Sequence, residues 1–199
     1  HGQALPPAGA LAGDSGGGRG GALLPLQTAP MPLTPDALLE LLENNGIPAT
    51  THAHPPVHTV AESQALRGDI PGAHTKNLFL RDAKKTYFLV AAAPGTPGNQ
   101  KALKGPLGAK GSLSFGSAEA LYEHLGVLPG SVTLLAAAND VAGLVTIAID
   151  AELLKAEAVC CHPLTNERTT SLAPEALDAF FRLTGHQPLV IEIPPAPEA

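Results

Sequence analysis

The sequence predicts an α+β domain built on a mixed β-sheet. Strand-like apolar runs and capped helical segments both occur, but they do not follow the regular strand–helix alternation of a doubly wound fold. The chain also lacks a glycine-rich phosphate loop and an internal repeat. With 199 residues and a hydrophobic content of 44%, it is long enough for one ordinary domain with a substantial core.

The two ends of the chain differ in composition from the middle. Residues 1–30 are rich in glycine, proline and alanine and show neither a helical nor a strand period, so we expect a flexible leader there. This leader is either an artificial addition or the product of an upstream start, and the sequence leaves both open. We expect a single folded domain over residues 31–193 and a disordered tail over residues 194–199.

Capping residues and apolar stripes predict four helices. Thr34 is a good N-cap with Pro35 in the first helical position, and Thr59 with Glu62 forms a capping box. The predicted helices run from Pro35 to a stop at Asn45-Gly46, from Thr59 towards Leu66, from the Ser117 cap through Leu125, and from Pro174 to Thr184.

Apolar runs bounded by turn residues predict the strands. A polar turn at Asp82–Lys85 separates two of them, so we expect a hairpin in the middle of the sheet. The predicted strands cover Ala49–His54, the two arms of the hairpin up to Ala93, Val132–Ala138, Val145–Ile149, Val159–His162 and Leu189–Ile193. Between the hairpin and Ser117, residues 94–111 have the composition of a mobile basic loop.

Lys76 lies in the first arm of the predicted hairpin. Strand alternation puts it on one face with His74, Leu78 and Leu80, so its ammonium group is predicted to lie on an apolar row. An unpaired charge in such a place is costly, which favours contact with a negative or developing negative charge on a substrate. The alternative is a lysine whose stem covers the edge of the core while its head reaches water, and the spacing alone favours this alternative.

The formal net charge of −6 restricts the kinds of partner. A negative field repels polyanions, so any nucleic-acid contact must depend on a local basic patch, for which Lys101, Lys104 and Lys110 are the candidates. No apolar stretch is long enough to span a bilayer, and the start lacks the pattern of a secretory signal. We therefore expect a cytoplasmic protein with neither a membrane nor DNA as its partner.

Cysteine and histidine residues give little support for thiol or metal chemistry. Cys160 and Cys161 are adjacent, so on a strand they point to opposite faces, and they are expected to be buried, unbridged thiols. His52, His54 and His58 are close in sequence, but no Cys, Asp or Glu beside them completes a ligand set. We expect no metal site and no cofactor. The sequence also lacks a nucleophile elbow, so a covalent mechanism is not indicated.

Several separate blocks of the sequence together resemble the YbaK and prolyl-tRNA-synthetase-associated editing domains, and among them the free-standing Ala-tRNA(Pro) deacylases. The resemblance spans most of residues 34–190, with the blocks in the family's order. They are His-Pro-Pro-Val at 54–57, Gly-Ala-His-Thr-Lys-Asn-Leu-Phe-Leu-Arg-Asp at 72–82, Leu-Ser-Phe-Gly at 113–116, Leu-Gly-Val-Leu-Pro-Gly-Ser-Val-Thr at 125–133, Asn-Asp at 139–140 and His-Pro-Leu-Thr-Asn at 162–166.

This resemblance implies a curved, mainly antiparallel mixed sheet flanked by helices, and hydrolysis of the ester that joins a wrong amino acid to tRNA. Lys76 would hold the substrate near the scissile ester, where a fixed cation is worth more than in water. The resemblance implies mischarged tRNA(Pro) as the partner and leaves open prolyl-tRNA synthetase as a second one. It places at the substrate pocket the residues Asn77, Gly130, Ser131, Asn139 and His162.

One block departs from the family pattern. The loop reads Thr-Leu-Leu-Ala-Ala-Ala-Asn-Asp over residues 133–140, so that Leu134 stands where the family has proline, and Ala137 and Ala138 replace bulkier residues. Pocket size, and with it the amino acid removed, depends on where these side chains point. A non-catalytic tRNA-binding or regulatory module of the same fold is the alternative function; it would need the basic patch but no small pocket around Lys76.

Overall fold

The computed structural model describes residues 31–94, 96 and 100–194, and the predictions for residues 1–30 and 195–199 lie outside this part. Its helices are α1 (Pro35–Asn44), α2 (Val60–Asp69), α3 (Gln100–Leu107), α4 (Ala118–Leu125) and α5 (Pro174–Thr184). Its strands are β1 (Thr50–Ala53), β2 (Ala73–His74), β3 (Lys76–Arg81), β4 (Tyr87–Ala92), β5 (Ser114–Phe115), β6 (Val145–Asp150), β7 (Val159–Cys161), β8 (Arg168–Leu172) and β9 (Leu189–Ile191). Three 3₁₀ helices cover Pro129–Ser131, Leu134–Asn139 and Ala151–Lys155.

The strands form two mixed sheets, which confirms the α+β class. The smaller sheet has the order β1-β8-β7-β2, and its β2 and β7 are parallel. The larger has the order β5-β3-β4-β6-β9, with the β3–β4 hairpin antiparallel and β4, β6 and β9 parallel. The predicted hairpin is therefore in the interior of a sheet, and its register pairs Lys76 with Ala92.

The larger sheet is covered on both faces. Successive residues of β4 alternate between two apolar clusters, with Leu89 and Ala91 in the larger cluster and Phe88 and Val90 in the smaller one. Helices α1, α4 and α5 contribute to the larger cluster, whereas α3 contributes Leu103 and Leu107 to the smaller one. Because β4 is buried on both faces, its sequence reads as a continuous apolar run.

Local capping signals were reliable guides to the helices. Thr34 accepts a hydrogen bond from the Ala37 amide, and Thr59 with Glu62 forms the predicted capping box. Ser117 caps α4, and α5 has the predicted limits. These signals involve atoms within one helical turn, so they can be seen without the tertiary structure.

Two predicted segments were wrong. Residues 100–107 form α3 rather than part of a loop, because Leu103 and Leu107 are four residues apart and bury one helical face. Residues 134–139 form a 3₁₀ helix rather than a strand: the burial was right, but Thr133 Oγ1 accepts a hydrogen bond from the Leu135 amide and turns the chain. A short apolar run does not by itself distinguish a buried strand from a buried helical turn.

Two strands, β5 and β8, were not predicted from the sequence. β8 reads Arg-Thr-Thr-Ser-Leu and is too polar to have been recognised as an apolar run, yet Thr169 and Thr170 are buried between β1 and β7. In the described part of the chain, no helix is both long enough and apolar enough to cross a membrane.

Candidate functional site

The two sheets are joined at Thr75, which lies between β2 and β3. Gly72 precedes β2 and makes this junction possible, since it has a φ of +126°, and a Cβ there would lie 3.0 Å from both the Ala158 carbonyl oxygen and Cys160 Sγ. Only glycine combines this backbone conformation with so close an approach. The short parallel pair of β2 and β7 therefore depends on Gly72.

A cavity of about 360 Å³ opens at this junction. Strands β2, β3, β7 and β8, helix α2 and the segments next to them supply its walls. The lining residues are Val57, Ser63, Leu66, Arg67, His74, Thr75, Lys76, Pro94, Cys160, Cys161, His162 and Thr169. Its size is within the usual range for small-molecule sites, and the described lining contains cations and histidines but no Asp or Glu.

Lys76 is the first residue of β3 and is half-buried in this wall. Its Nζ lies 3.5 Å from the carbonyl oxygen of Thr96, at the limit of a hydrogen bond, and it has no carboxylate partner among the described residues. The ammonium therefore has donor capacity left for a ligand. Lys76 alternates with Leu78 and Leu80 along β3, whereas His74, which was predicted to share this row, lies in β2 of the other sheet.

Asn77 lies behind the cavity wall rather than in it. Its Nδ2 donates to Thr75 Oγ1 (3.1 Å), and the Thr75 hydroxyl donates to the Cys160 carbonyl (3.0 Å). This relay links β3 to β7 and holds Thr75 in the lining. In the described part of the chain the Asn77 Oδ1 is buried without a hydrogen-bond donor. A buried acceptor without a donor destabilises the folded state.

His162 follows β7, and the backbone carbonyl of Arg168 in β8 positions its ring. A carbonyl oxygen can only accept, so the 3.1 Å contact between His162 Nδ1 and the Arg168 carbonyl requires a proton on Nδ1. Burial lowers the pKa of His162, the bond to Arg168 opposes this, and the nearby His54 and His74 lower the pKa further. In the neutral ring, Nε2 therefore carries a lone pair that can accept a hydrogen bond.

The other histidines near the cavity have partners that fix their roles. His74 Nε2 contacts the Ile70 carbonyl at 2.8 Å, while His54 contacts the Pro55 carbonyl through Nδ1 and Thr169 Oγ1 through Nε2, both at 2.8 Å. His52 and His58 are exposed. Within residues 31–94, 96 and 100–194 no group of three or more His, Cys, Asp or Glu residues is arranged to hold a metal ion.

Cys160 and Cys161 are both free and buried. Burial raises the pKa of the Cys161 thiol to about 12, and burial also raises the pKa of Cys160. A thiolate nucleophile is therefore disfavoured at neutral pH, although both residues border the cavity.

The remaining predicted pocket residues are not part of the cavity lining. Gly130 and Ser131 lie in the first 3₁₀ helix, where a Cβ on Gly130 would be 3.7 Å from Asn166 Nδ2, so they approach the segment that follows His162. Asn139 has structural partners on both sides: its Oδ1 accepts from the Leu33 amide and its Nδ2 donates to the Leu125 carbonyl, both at 2.9 Å. That pair of bonds ties the entry of α1 to the end of α4.

The predicted basic patch is divided between two elements. Lys101 and Lys104 are exposed on α3, whereas Lys110 lies in the loop after it. The Asp82 carboxylate accepts hydrogen bonds from the amides of Lys84, Thr86 and Lys110. It thereby holds the exposed hairpin turn, with Lys84 and Lys85, beside Lys110.

Sequence reasoning missed the contribution of α2 to the site. Ser63, Leu66 and Arg67 are spaced as i, i+3 and i+4, so they share one helical face, and that face lines the cavity. The spacing was visible in the sequence, but a polar and an apolar residue beside a charged one do not form the apolar stripe by which helix faces are recognised.

Comparisons with known proteins give a consistent result. The model of the aminoacyl-tRNA editing domain family matches residues 54–180. A Bos taurus protein named prolyl-tRNA synthetase associated domain-containing protein 1 is 39% identical over 142 residues, covering 69% of this chain and 82% of that protein. The prolyl-tRNA editing protein ProX of Acetoanaerobium sticklandii is 30% identical over 158 residues, covering 79% and 96% respectively.

The fold is also found among solved structures. A crystal structure described as a candidate trans-editing enzyme for prolyl tRNA synthetase superposes with a TM-score of 0.57 at 18% identity, covering 80% of this chain and 98% of that one. At this identity the comparison shows the fold alone.

Proposed function

This chain belongs to the aminoacyl-tRNA editing domain family, and on that premise we propose that it is a deacylase acting on mischarged tRNA, with Ala-tRNA(Pro) as its substrate. The observation that supports the proposal most strongly is the cavity at the sheet junction. It brings the Lys76 ammonium and the His162 ring into one small space whose described lining has no carboxylate.

The proposed reaction is addition of water to the carbonyl carbon of the aminoacyl ester. The bond between that carbon and the ribose oxygen then breaks, the ribose oxygen takes up a proton, and the products are the free amino acid and tRNA with a free hydroxyl. Negative charge develops on the carbonyl oxygen during the addition, and we assign its stabilisation to the Lys76 ammonium in the cavity wall.

His162 is suited to orient the attacking water. Its Nδ1 proton is held by the Arg168 carbonyl, so the neutral ring offers Nε2 as the acceptor. The lowered pKa of His162 keeps this acceptor unprotonated at neutral pH. An aminoacyl ester is already activated, so a positioned water and a stabilised oxyanion are sufficient without a covalent nucleophile.

A small cavity can act as a sieve that admits alanine and rejects larger side chains by overlap. Ala137 is buried in the main apolar cluster, and Ala138 packs against that cluster without lining the cavity. Because neither side chain lines the cavity, their small size does not enlarge it, and this supports the family's usual selectivity.

The test is to incubate the protein with Ala-, Ser- and Pro-tRNA(Pro) and to follow loss of the ester against the uncatalysed rate. We expect fast hydrolysis of Ala-tRNA(Pro) and survival of Pro-tRNA(Pro). Equal hydrolysis of the alanyl and prolyl esters would contradict selection by size. Absence of hydrolysis of all three, with binding retained, would favour the non-catalytic alternative.

A further inference from the structure

Helix α2 contributes a guanidinium group to the cavity lining, and the proposed reaction does not use this group. Arg67 lies in the last turn of α2 and is half-buried, and its neighbours on the same face, Ser63 and Leu66, also line the cavity. A cation in the last turn is favoured by the carbonyl dipoles of its own helix, so this position is compatible with a charged side chain.

Within the described part of the chain, Arg67 has neither a salt bridge nor a side-chain hydrogen bond. Two other arginines show the contrast: Arg168 pairs with Asp36 at 2.7 Å and Arg182 pairs with Asp178 at 2.9 Å. The cavity lining that surrounds Arg67 supplies a second cation, Lys76, and no acidic residue. Two uncompensated cations in one cavity indicate that its ligand carries more negative charge than the ester alone develops.

We propose that Arg67 binds the last internucleotide phosphate of the substrate RNA, the phosphate attached to the nucleotide whose ribose carries the aminoacyl ester. This inference rests on the proposed function, since it takes the ester to lie at Lys76. The phosphate and the ester belong to the same nucleotide, so both can be held by one cavity. A guanidinium fork matches two phosphate oxygens in a planar, bidentate geometry, which an ammonium group does not.

The assignment gives each cation a separate role. Lys76 acts on charge that develops during the reaction, whereas Arg67 binds a charge that is present before and after it. Arg67 is then a substrate-binding residue whose loss raises KM and leaves kcat unchanged, because uniform binding does not change the barrier from the bound state.

The decisive experiment compares two model esters, 3′-O-alanyl-CpA and 3′-O-alanyl-adenosine, which differ by the phosphate and the nucleotide before it. For Arg67→Gln we expect kcat/KM to fall roughly 10- to 100-fold on alanyl-CpA, as for loss of a charge-assisted hydrogen bond. On alanyl-adenosine the variant should stay within about twofold of the wild type. Arg67→Lys should fall between the two on alanyl-CpA.

Arg182→Gln is the matched control, because Arg182 is an exposed arginine on α5 that does not line the cavity. It should leave hydrolysis of both esters unchanged. An equal loss on both esters with Arg67→Gln would show that Arg67 shapes the cavity rather than binding phosphate. No loss on either ester would exclude it from the site.

A binding measurement separates this inference from the proposed reaction. CpA without an aminoacyl group is titrated into 15N-labelled protein. Its dissociation constant should rise roughly 10-fold or more in Arg67→Gln, and not in Arg182→Gln. If the protein hydrolyses no ester but CpA binding still depends on Arg67, the phosphate site stands and the deacylase proposal fails. If the esters are hydrolysed and Arg67→Gln changes neither CpA binding nor kcat/KM, only the phosphate site fails.

Discussion

Two polar clusters of this protein contain charged residues and histidine but differ in whether their polar groups are paired. One is the cavity cluster of Arg67, Lys76 and His162; the other is the buried clasp between Asp140 and His186. In the clasp, His186 Nε2 lies 2.9 Å from Asp140 Oδ2 and His186 Nδ1 lies 2.8 Å from Thr184 Oγ1. The amides of Leu144 and Val145 also donate to the Asp140 carboxylate, so both of its oxygens are occupied.

The difference between the clusters is in what remains unpaired. Among the described residues, the clasp leaves none of its side-chain nitrogens or oxygens without a partner, whereas the cavity keeps donors on Arg67 and Lys76 and an acceptor on His162. Buried polar groups are costly when unsatisfied, so a complete set indicates a role in stability and an incomplete set facing a cavity indicates a ligand. By this criterion Asp140 has a role in stability and Lys76 has a role in ligand binding, although both residues lie in blocks shared with the family.

The largest expected effect is on catalysis at the cavity. Lys76→Ala removes the cation next to the developing oxyanion, so deacylation of Ala-tRNA(Pro) should fall on the order of 100-fold or more in kcat/KM. The free energy of unfolding should change little, since Lys76 has no ion-pair partner in the described part of the chain. Lys155→Ala, at an exposed lysine paired with Glu152, is the control. A folded Lys76→Ala protein with near-normal turnover would refute the role.

The clasp should show the reverse pattern. Asp140→Ala leaves the buried His186 ring and the amides of Leu144 and Val145 without their acceptor, and we expect a loss of about 3 kcal/mol in the free energy of unfolding, measured by urea denaturation. Activity per folded molecule should stay near the wild-type value. Asp178→Ala, which breaks an exposed i,i+4 pair, should cost only about 0.5 kcal/mol.

The pH dependence of this stability follows from the carboxyl group. Burial pushes the pKa of Asp140 upward, but hydrogen bonds from His186, Val145 and Leu144 outweigh it, so the folded pKa lies below the ordinary value. The carboxylate therefore contributes stability above about pH 4 and loses it as the pH falls through the lower folded pKa. The stability difference between wild type and Asp140→Ala should shrink in that acidic range; a constant difference would contradict the clasp.

A smaller effect is expected from the surface that contacts tRNA outside the cavity. Changing Lys101, Lys104 and Lys110 together to Gln should raise KM for tRNA about tenfold and leave kcat unchanged. The slope of log K against log salt should become shallower by up to about three, if each lysine contacts one phosphate. An unchanged slope would show that tRNA contacts a different surface. Lys84 and Lys85, which lie beside Lys110, would then be the next residues to test.

The smallest change is expected in the pH profile of deacylation. Because the pKa of His162 is lowered, its Nε2 should lose its acceptor role at a lower pH than an ordinary histidine does, and kcat/KM should fall by less than about fourfold between pH 7.5 and pH 6. An unperturbed histidine with a pKa of about 6.5 would cause a loss of about fourfold. His162→Asn should be slower and should not show the acidic fall of the wild type; a wild-type midpoint at or above 6.5 would contradict the assignment.

The sequence by itself determined the parts of this protein that depend on neighbouring residues. Thr34, Thr59 and Ser117 fix helix starts through hydrogen bonds within one turn, and the polar turn at 82–85 fixes the central hairpin. The family blocks located Lys76 and His162, which the structure then places in one cavity. Nothing in the sequence ruled out the stem-covering alternative for Lys76.

The tertiary structure decided whatever depends on contacts distant in sequence. Arg67 joins Lys76 only because α2 packs at the sheet junction, and Thr169 in the polar strand β8 meets His54 across 115 positions. Asn139 and Asp140 are neighbours in one block, yet both bind other parts of the chain rather than the cavity. Whether a polar group is paired or left for a ligand is a property of the packed chain, because its partners come from other elements.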